Sequence, residues 1–269
     1  FSGDGLGSDG DIERGLQQAK QMAAEGADIL DVGGESSRPG AEPVSVEVEL
    51  SRVIPLIEKI AAEVDVPVSI DTTKAKVAAE ALARGACIVN DISGLRMDGE
   101  MAAVTAKVKA GVVLMHMLGT PRDMQKDPKY VDLMAEITSF LAEASARALA
   151  AGITKEQIVI DPGFGFGKTV EHNLEILRRL GELRVLGYPI LIGTSRKSTI
   201  GKILETEVED RLEGTAATVA LAIAGGADII RVHDVKEMAR VAKMADAVLR
   251  VKPPEIKEDE HVKWGESRE

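Results

Sequence analysis

Pro67-Val-Ser-Ile-Asp71-Thr-Thr-Lys74-Ala-Lys-Val-Ala-Ala-Glu-Ala-Leu-Ala-Arg-Gly85 contains a whole strand–loop–helix unit. A short apolar run ends on a carboxylate, a polar turn follows, and an Ala/Leu/Glu/Lys stretch with helical spacing closes on a glycine. An apolar run that does not alternate suits a parallel strand covered on both faces. A glycine just past a helical stretch is the usual C′ residue. The same unit recurs along the chain. Strand-like runs lie at Ala27–Val32, Pro67–Asp71, Cys87–Asp91, Gly111–His116, Gln157–Asp161, Pro189–Gly193 and Ile229–His233. Helical stretches follow at Ile12–Glu25, Val46–Glu63, Ala75–Ala83, Lys129–Ala150, Glu171–Leu186, Glu209–Ala224 and Val235–Val251, and Gly26, Gly85, Gly152 and Gly226 mark helix ends.

Repeated strand–helix units without a composition break predict one parallel α/β sheet. An open doubly wound sheet concentrates chemistry at a switch point, whereas a (β/α)8 TIM barrel gathers every strand C-terminus on one face. Here every strand ends in residues able to do chemistry, which favours the barrel. Seven strands are visible and the eighth is expected to be the first, so that the chain would begin just after it. Residues 1–254 are then expected to form a single barrel domain and the charged 255–269 segment a flexible tail. The length of 269 residues agrees, since such a barrel takes about 250.

The composition narrows the function classes. With 33 basic and 44 acidic residues the net charge is −11, which disfavours non-specific binding to nucleic acid or anionic lipid. Aromatics are 3%, too few for a base-stacking surface. The single Cys87 excludes an internal disulfide framework and suits a reducing compartment. No apolar run reaches the roughly 18 residues of a membrane span, and the first residues lack a signal-peptide core. The expectation is a cytoplasmic protein with no nucleic-acid or membrane partner.

The strand ends carry the chemistry. Asp31-Val-Gly-Gly-Glu-Ser-Ser-Arg38-Pro39-Gly40 enters a Gly/Pro loop in which Arg38 either meets an anion or stays in solvent. Asp71 and Asn90 point at the expected barrel mouth, where acceptors and a donor suit the edge of a planar heterocycle. Asp71 could instead cap the helix from Lys74. Leu114-Met115-His116-Met117 offers a soft apolar wall, with His116 either structural or a ligand. Asp161-Pro-Gly-Phe-Gly-Phe166-Gly-Lys168-Thr169 resembles a phosphate loop but has Pro162 where a Walker A motif needs its first Gly. It is better read as a pocket wall beside Asp161. Gly193-Thr-Ser-Arg-Lys197-Ser198 and Arg231-Val-His233 close the last two strands, where barrels often bind phosphate. Arg231 and His233 share a strand face and are expected to grip one anion together.

The mouth therefore reads as a carboxylate-rich half (Asp71, Asn90, Asp161) facing a cationic half (Lys197, Arg231, His233). That pattern suits a hydrogen-bonding ring carrying a phosphate or diphosphate. No His-x-x-x-His or Cys-x-x-Cys spacing occurs, so any Mg2+ is expected to arrive on a diphosphate.

In this order the motifs closely resemble the dihydropteroate synthase family. The matching stretches are Asp31–Ala41, Ser69–Lys74, Val89–Gly94, Leu114–Gln125, Asp161–Thr169, Gly193–Gly201, Arg211–Ala220 and Arg231–Val235. The resemblance implies a transferase that joins 6-hydroxymethyl-7,8-dihydropterin diphosphate to p-aminobenzoate in folate synthesis, releasing diphosphate. It implies catalytic roles for Asp71, Asp161, Lys197 and Arg231. Pterin would be bound by Asp71, Asn90, Met115, Asp161, Phe166, Gly193 and Lys197, and diphosphate by Arg231 and His233. Arg38, Pro39, Lys197 and Ser198 would border the p-aminobenzoate site, which sulfonamides occupy in the family. Mg2+ and a homodimer are also implied. Of the family's first-strand motif Asn-Val-Thr-Pro-Asp-Ser-Phe-Ser only Phe1-Ser2 is present, so the metal-contacting Asn would precede Phe1. Two other readings share parts of the pattern. A methyltransferase acting on methyltetrahydrofolate would keep the pterin-reading Asp and Asn but has no need of the cations around Lys197 and Arg231. A non-catalytic pterin binder would bind the diphosphate without turnover.

Overall fold

The computed structural model describes residues 9–249, so the expected first strand and the 255–269 tail lie outside the described residues. Five parallel strands pair in chain order: β1 (Leu30–Gly33), β2 (Val68–Asp71), β3 (Ala86–Asp91), β4 (Gly111–Met115) and β5 (Ile158–Asp161). A single parallel bridge, Ile160 to Ile190, leads from β5 to a second pair, β6 (Leu191–Ile192) and β7 (Ile229–Ile230). All seven are parallel and in sequence order, as in a (β/α)8 barrel. No strand pairing joins β7 to β1 among the described residues; Arg231 and Asp31 tie the two ends together instead.

Nine α-helices occur among the described residues: α1 (Asp9–Ala24), α2 (Val46–Glu63), α3 (Ala75–Ala83), α4 (Met101–Lys107), α5 (Leu133–Ala150), α6 (Val170–Arg179), α7 (Ser198–Leu204), α8 (Leu212–Ala224) and α9 (Val235–Leu249). Their apolar stripes and the strands bury one continuous core that runs from Leu16 and Leu56 through Ile70, Leu114 and Ile160 to Ala222. The four predicted C′ glycines all take positive φ, between 95° and 113°.

Several boundaries differ from the sequence reading. α5 starts at Leu133 rather than Lys129, because Asp132 caps it by accepting the Ala135 N–H and Tyr130 is drawn away to donate to the Gly167 carbonyl. The Glu171–Leu186 stretch divides into α6 and a 3-10 segment, Leu180–Leu186, where Gly181 lies close to the Gly225 carbonyl of the α8 end. The last two strands are shorter than expected, and Arg231 and His233 lie beyond the end of β7. The short helices α4 and α7 carry too few turns for a periodicity argument and were not expected.

Candidate active site

Strand register sets the floor of the site. Gly33, Asp71 and Asn90 align across β1, β2 and β3, and Met115 aligns with Asp161 across β4 and β5. Neighbouring residues on a strand point to opposite faces. Asn90 accordingly turns to the mouth, where its amide donates to Asp31 Oδ2 at 3.1 Å. Asp91 turns away, fully buried, and accepts the N–H groups of Ser93 and Leu95 to shape the following loop.

Arg231 stands between two carboxylates. Its Nε donates to Asp31 Oδ2 at 2.6 Å and its Nη2 to Asp71 Oδ2 at 3.0 Å. Asp71 is thus committed to Arg231 and does not cap α3. That helix takes its first N–H contact from Asp98, which accepts from Ala75 at 2.8 Å. Burial and the Asp31 charge push the Asp71 carboxyl up to about 7 against the pull of Arg231. Burial works to lower Arg231, but Asp31 and Asp71 overcome it and hold the guanidinium firmly charged. The separate carboxylate and cationic halves expected from sequence are therefore corrected: the two signs interleave. Each buried charge needs an opposite partner, and segregated like charges would have none.

The β5–α6 loop forms the wall. Asp161, 7% exposed, accepts the Gly163 N–H at 2.7 Å, and burial raises its pKa despite nearby Lys197. Gly163 has φ +70°, and a Cβ there would lie 1.8 Å from the His116 carbonyl oxygen. Gly163→Ala is therefore expected to lower stability by more than about 1 kcal/mol, as thermal unfolding would read. Met115 packs in a small cluster with Ile92, Met117 and Met124, and Phe166 covers it. Lys197 Nζ donates to the Phe164 carbonyl and lies 4.5 Å from the Phe166 ring centroid, a cation–π arrangement. Burial lowers Lys197 to about 8, with Asp161 opposing.

Lys168 settles the phosphate-loop question. It is 3% exposed and turned inward, with Nζ 3.0 Å from His116 Nδ1 and 3.0 Å from the Phe166 carbonyl. Burial and the Lys168 charge keep His116 neutral, and its ring packs edge-on against Phe140 at 4.9 Å between centroids.

At the cationic end, His233 Nδ1 lies 3.0 Å from Ser195 Oγ, and burial together with Arg231 lowers it to about 4. Arg196, at φ +56°, is turned to Asp234, and this turn leaves Lys197 facing the mouth. Gly193 follows β6 beside Arg231, where an added Cβ would lie in ordinary contact with the Arg231 Cβ at 3.5 Å. Arg38, Pro39 and Ser198 are exposed. The loop bearing Arg38 is tied across the mouth by the Gly40 N–H, which donates to the Pro121 carbonyl at 3.0 Å.

Sequence reasoning missed Asp31 as a member of the site. Its position near the end of a strand-like run was a signal, but its two partners, Asn90 and Arg231, lie 59 and 200 positions away along the chain. Its Oδ1 is buried without a hydrogen-bond partner. Among the described residues no group of three His, Cys, Asp or Glu side chains could hold a metal ion.

The fold is a parallel-stranded α/β barrel whose mouth gathers interleaved carboxylates and cations, as an enzyme for a polar, charged substrate would need. Residues 2–233 match the family of pterin binding enzymes. A dihydropteroate synthase of Synechocystis is 51% identical over 87% of this chain and 82% of its own length. The crystal structure of the Clostridium difficile dihydropteroate synthase, determined in the presence of pteroic acid, is 51% identical, with a TM-score of 0.86 over 91% of this chain and 90% of that one. The Xanthomonas albilineans dihydropteroate synthase with 4-aminobenzoic acid is 43% identical, with a TM-score of 0.85 over 91% and 89% of the two chains. The chain belongs to the dihydropteroate synthase family of pterin-binding enzymes.

Proposed function

We propose that this chain condenses 6-hydroxymethyl-7,8-dihydropterin diphosphate with p-aminobenzoate to give 7,8-dihydropteroate and diphosphate. The observation that carries this reading is the interleaved cluster of Asp31, Asp71, Asn90, Asp161, Lys197 and Arg231 at one barrel mouth. Asp71, Asn90, Asp161 and Lys197 bind the polar edge of the pterin, Met115 and Phe166 pack near it, and Gly193 borders it. Arg231 and His233 take the diphosphate. Arg38, Pro39, Lys197 and Ser198 border the p-aminobenzoate.

The carbon–oxygen bond breaks with its electron pair on the departing diphosphate, and positive charge spreads over the pterin ring. Asp71 and Asp161 oppose that charge, and Arg231 opposes the charge on the leaving group. The aniline nitrogen then bonds to the methylene carbon, and the resulting ammonium loses one proton to solvent. Positioning matters more than prior deprotonation in that step. Asp31 and Asp71 engage only Nε and one Nη2 N–H of Arg231, so the remaining N–H groups of the guanidinium are those that would meet the diphosphate.

Asp31 Oδ1 is a hard oxygen donor without a partner, which fits an Mg2+ ion carried on diphosphate oxygens and touched by few protein groups. Such an ion would neutralise charge on the leaving group. A homodimer is also part of this reading: Leu221 on α8 and Met244 and Val248 on α9 are 61–70% exposed, an apolar face suited to a second copy. Sedimentation equilibrium measures that association. No helix among the described residues is long and apolar enough to cross a membrane, and a cytoplasmic location is proposed with it.

The decisive assay is diphosphate release that depends on p-aminobenzoate. Its pH profile is a second check. Asp71 is charged above about 7 and Lys197 below about 8, so both charges coexist only in that window. The kcat/KM profile, which reports groups of the free enzyme, should rise through the first value and fall through the second. Lys197→Arg, which cannot lose its proton in this range, should abolish the alkaline fall. A flat profile between pH 6 and 9 contradicts these roles.

A further inference from the structure

The loop from Gly34 to Ser45, which carries Arg38 and Pro39, is closed at its neck by one carboxylate. Glu35 Oε2 accepts the Val44 N–H at 3.4 Å and also the Lys74 ammonium. Lys74 lies three residues beyond Asp71 and donates equally to Glu49 on α2. Glu49 has a side chain only 1% exposed, and its second oxygen has no hydrogen-bond partner. A carboxylate buried in that way is costly unless a cation meets it, so Glu49 fixes Lys74, and Lys74 in turn fixes Glu35. The backbone below the neck is held separately. Arg52 donates to the Gly34 carbonyl at 2.8 Å, and Gly34 presses so close to α2 that a Cβ would lie 2.8 Å from Val53. Further out, among the described residues, the loop meets the rest of the mouth through the Gly40 N–H on the Pro121 carbonyl and an exposed Arg122–Glu42 ion pair at 3.9 Å. The Glu35 neck sets how the loop leaves and rejoins the body of the protein.

We propose that Glu35 is a positioning residue for the second substrate: clamped by Lys74 and the buried Glu49, it closes the loop neck and directs Arg38 and Pro39 toward the carboxylate of p-aminobenzoate. This inference rests on the reading that the Arg38 loop borders that substrate. The pterin site is tied to other partners, since Asp71 is held by Arg231 and Asp161 by Gly163.

The test is steady-state kinetics of Glu35→Ala, Glu35→Gln and Arg38→Ala with each substrate varied in turn. Glu35 is 25% exposed and its removal leaves the Lys74–Glu49 pair intact, so the variant folds. Glu35→Ala should raise KM for p-aminobenzoate about tenfold, a loss of about 1.4 kcal/mol, and leave kcat and KM for the pterin diphosphate within about twofold. Glu35→Gln should recover most of the loss, because its amide oxygen still accepts from Val44 and Lys74. If both KM values move together, if neither moves, or if Glu35→Gln is as weak as Glu35→Ala, the inference fails. If Arg38→Ala raises KM for p-aminobenzoate while Glu35→Ala does not, only the positioning role is lost. If Arg38→Ala has no effect, the assignment of the loop to that substrate falls, and the inference with it.

Discussion

Asp161→Asn is expected to lower kcat/KM by about a thousandfold, the upper end for removing one preorganised electrostatic group from an active site, while the chain remains folded. The substitution keeps the shape of the side chain, and the amide oxygen can still accept the Gly163 N–H that now reaches Asp161 at 2.7 Å. The charge is what disappears. Asp161 is 7% exposed, so little water is available to replace its effect on positive charge spreading through the pterin ring. Lys197 also loses the neighbour that opposes its desolvation, and its pKa should fall further below about 8. The alkaline limb of the remaining activity should therefore shift to lower pH. A folded Asp161→Asn enzyme that releases diphosphate at a near-normal rate would remove Asp161 from the mechanism.

Arg231→Met should cost a similar factor of about a thousand in kcat/KM for a different reason. Among the described residues the guanidinium is the group that joins Asp31 and Asp71, and it is the cation proposed to hold the leaving group. Without it the diphosphate loses its principal charge partner, and two carboxylates face each other unneutralised. Affinity for the pterin diphosphate should then fall far more than affinity for the bare pterin, a contrast calorimetry can measure. The Asp71 carboxyl should be pushed up further, since the charge of Arg231 that now opposes burial is gone. Stability should drop by about 1–3 kcal/mol, the usual cost of stranding buried polar partners. That is well within the typical margin of about 5–15 kcal/mol, so the variant stays folded. Arg231→Lys should recover only part of the activity, because one ammonium cannot bridge two carboxylates as a planar fork does. Equal loss of affinity for pterin with and without its diphosphate would argue against the assignment.

Much of the fold is legible residue by residue. The strand from Pro67 to Asp71 and its helix through Ala83 are seen almost as read, and so are the units around Asn90 and Asp161. Apolar strand cores, C′ glycines and helical spacing are local signals, and local signals survive folding where the core demands them. The exceptions have local causes that only contacts reveal. Tyr130 leaves the predicted helix because the Gly167 carbonyl attracts its hydroxyl, and that carbonyl belongs to a loop 37 residues further along. Arg196 and Lys197 are indistinguishable as cations in the sequence. A positive φ at Arg196 sends one to Asp234 and leaves the other against Phe164 and Phe166.

By itself the sequence determined the repeating strand–helix unit, the barrel and most of the polar residues that ring its mouth, because these follow from short-range periodicity and from which residue ends each strand. Only the tertiary structure decided how those residues pair. Arg231 reaches Asp31 across 200 positions and Asp71 across 160, Lys168 turns inward to His116 across 52, and Lys74 links Glu35 to Glu49 beneath the Arg38 loop. Charge pairing depends on distance in space and on desolvation. Neither is encoded in spacing along the chain, and so the two separate charged halves expected at the mouth became one interleaved cluster.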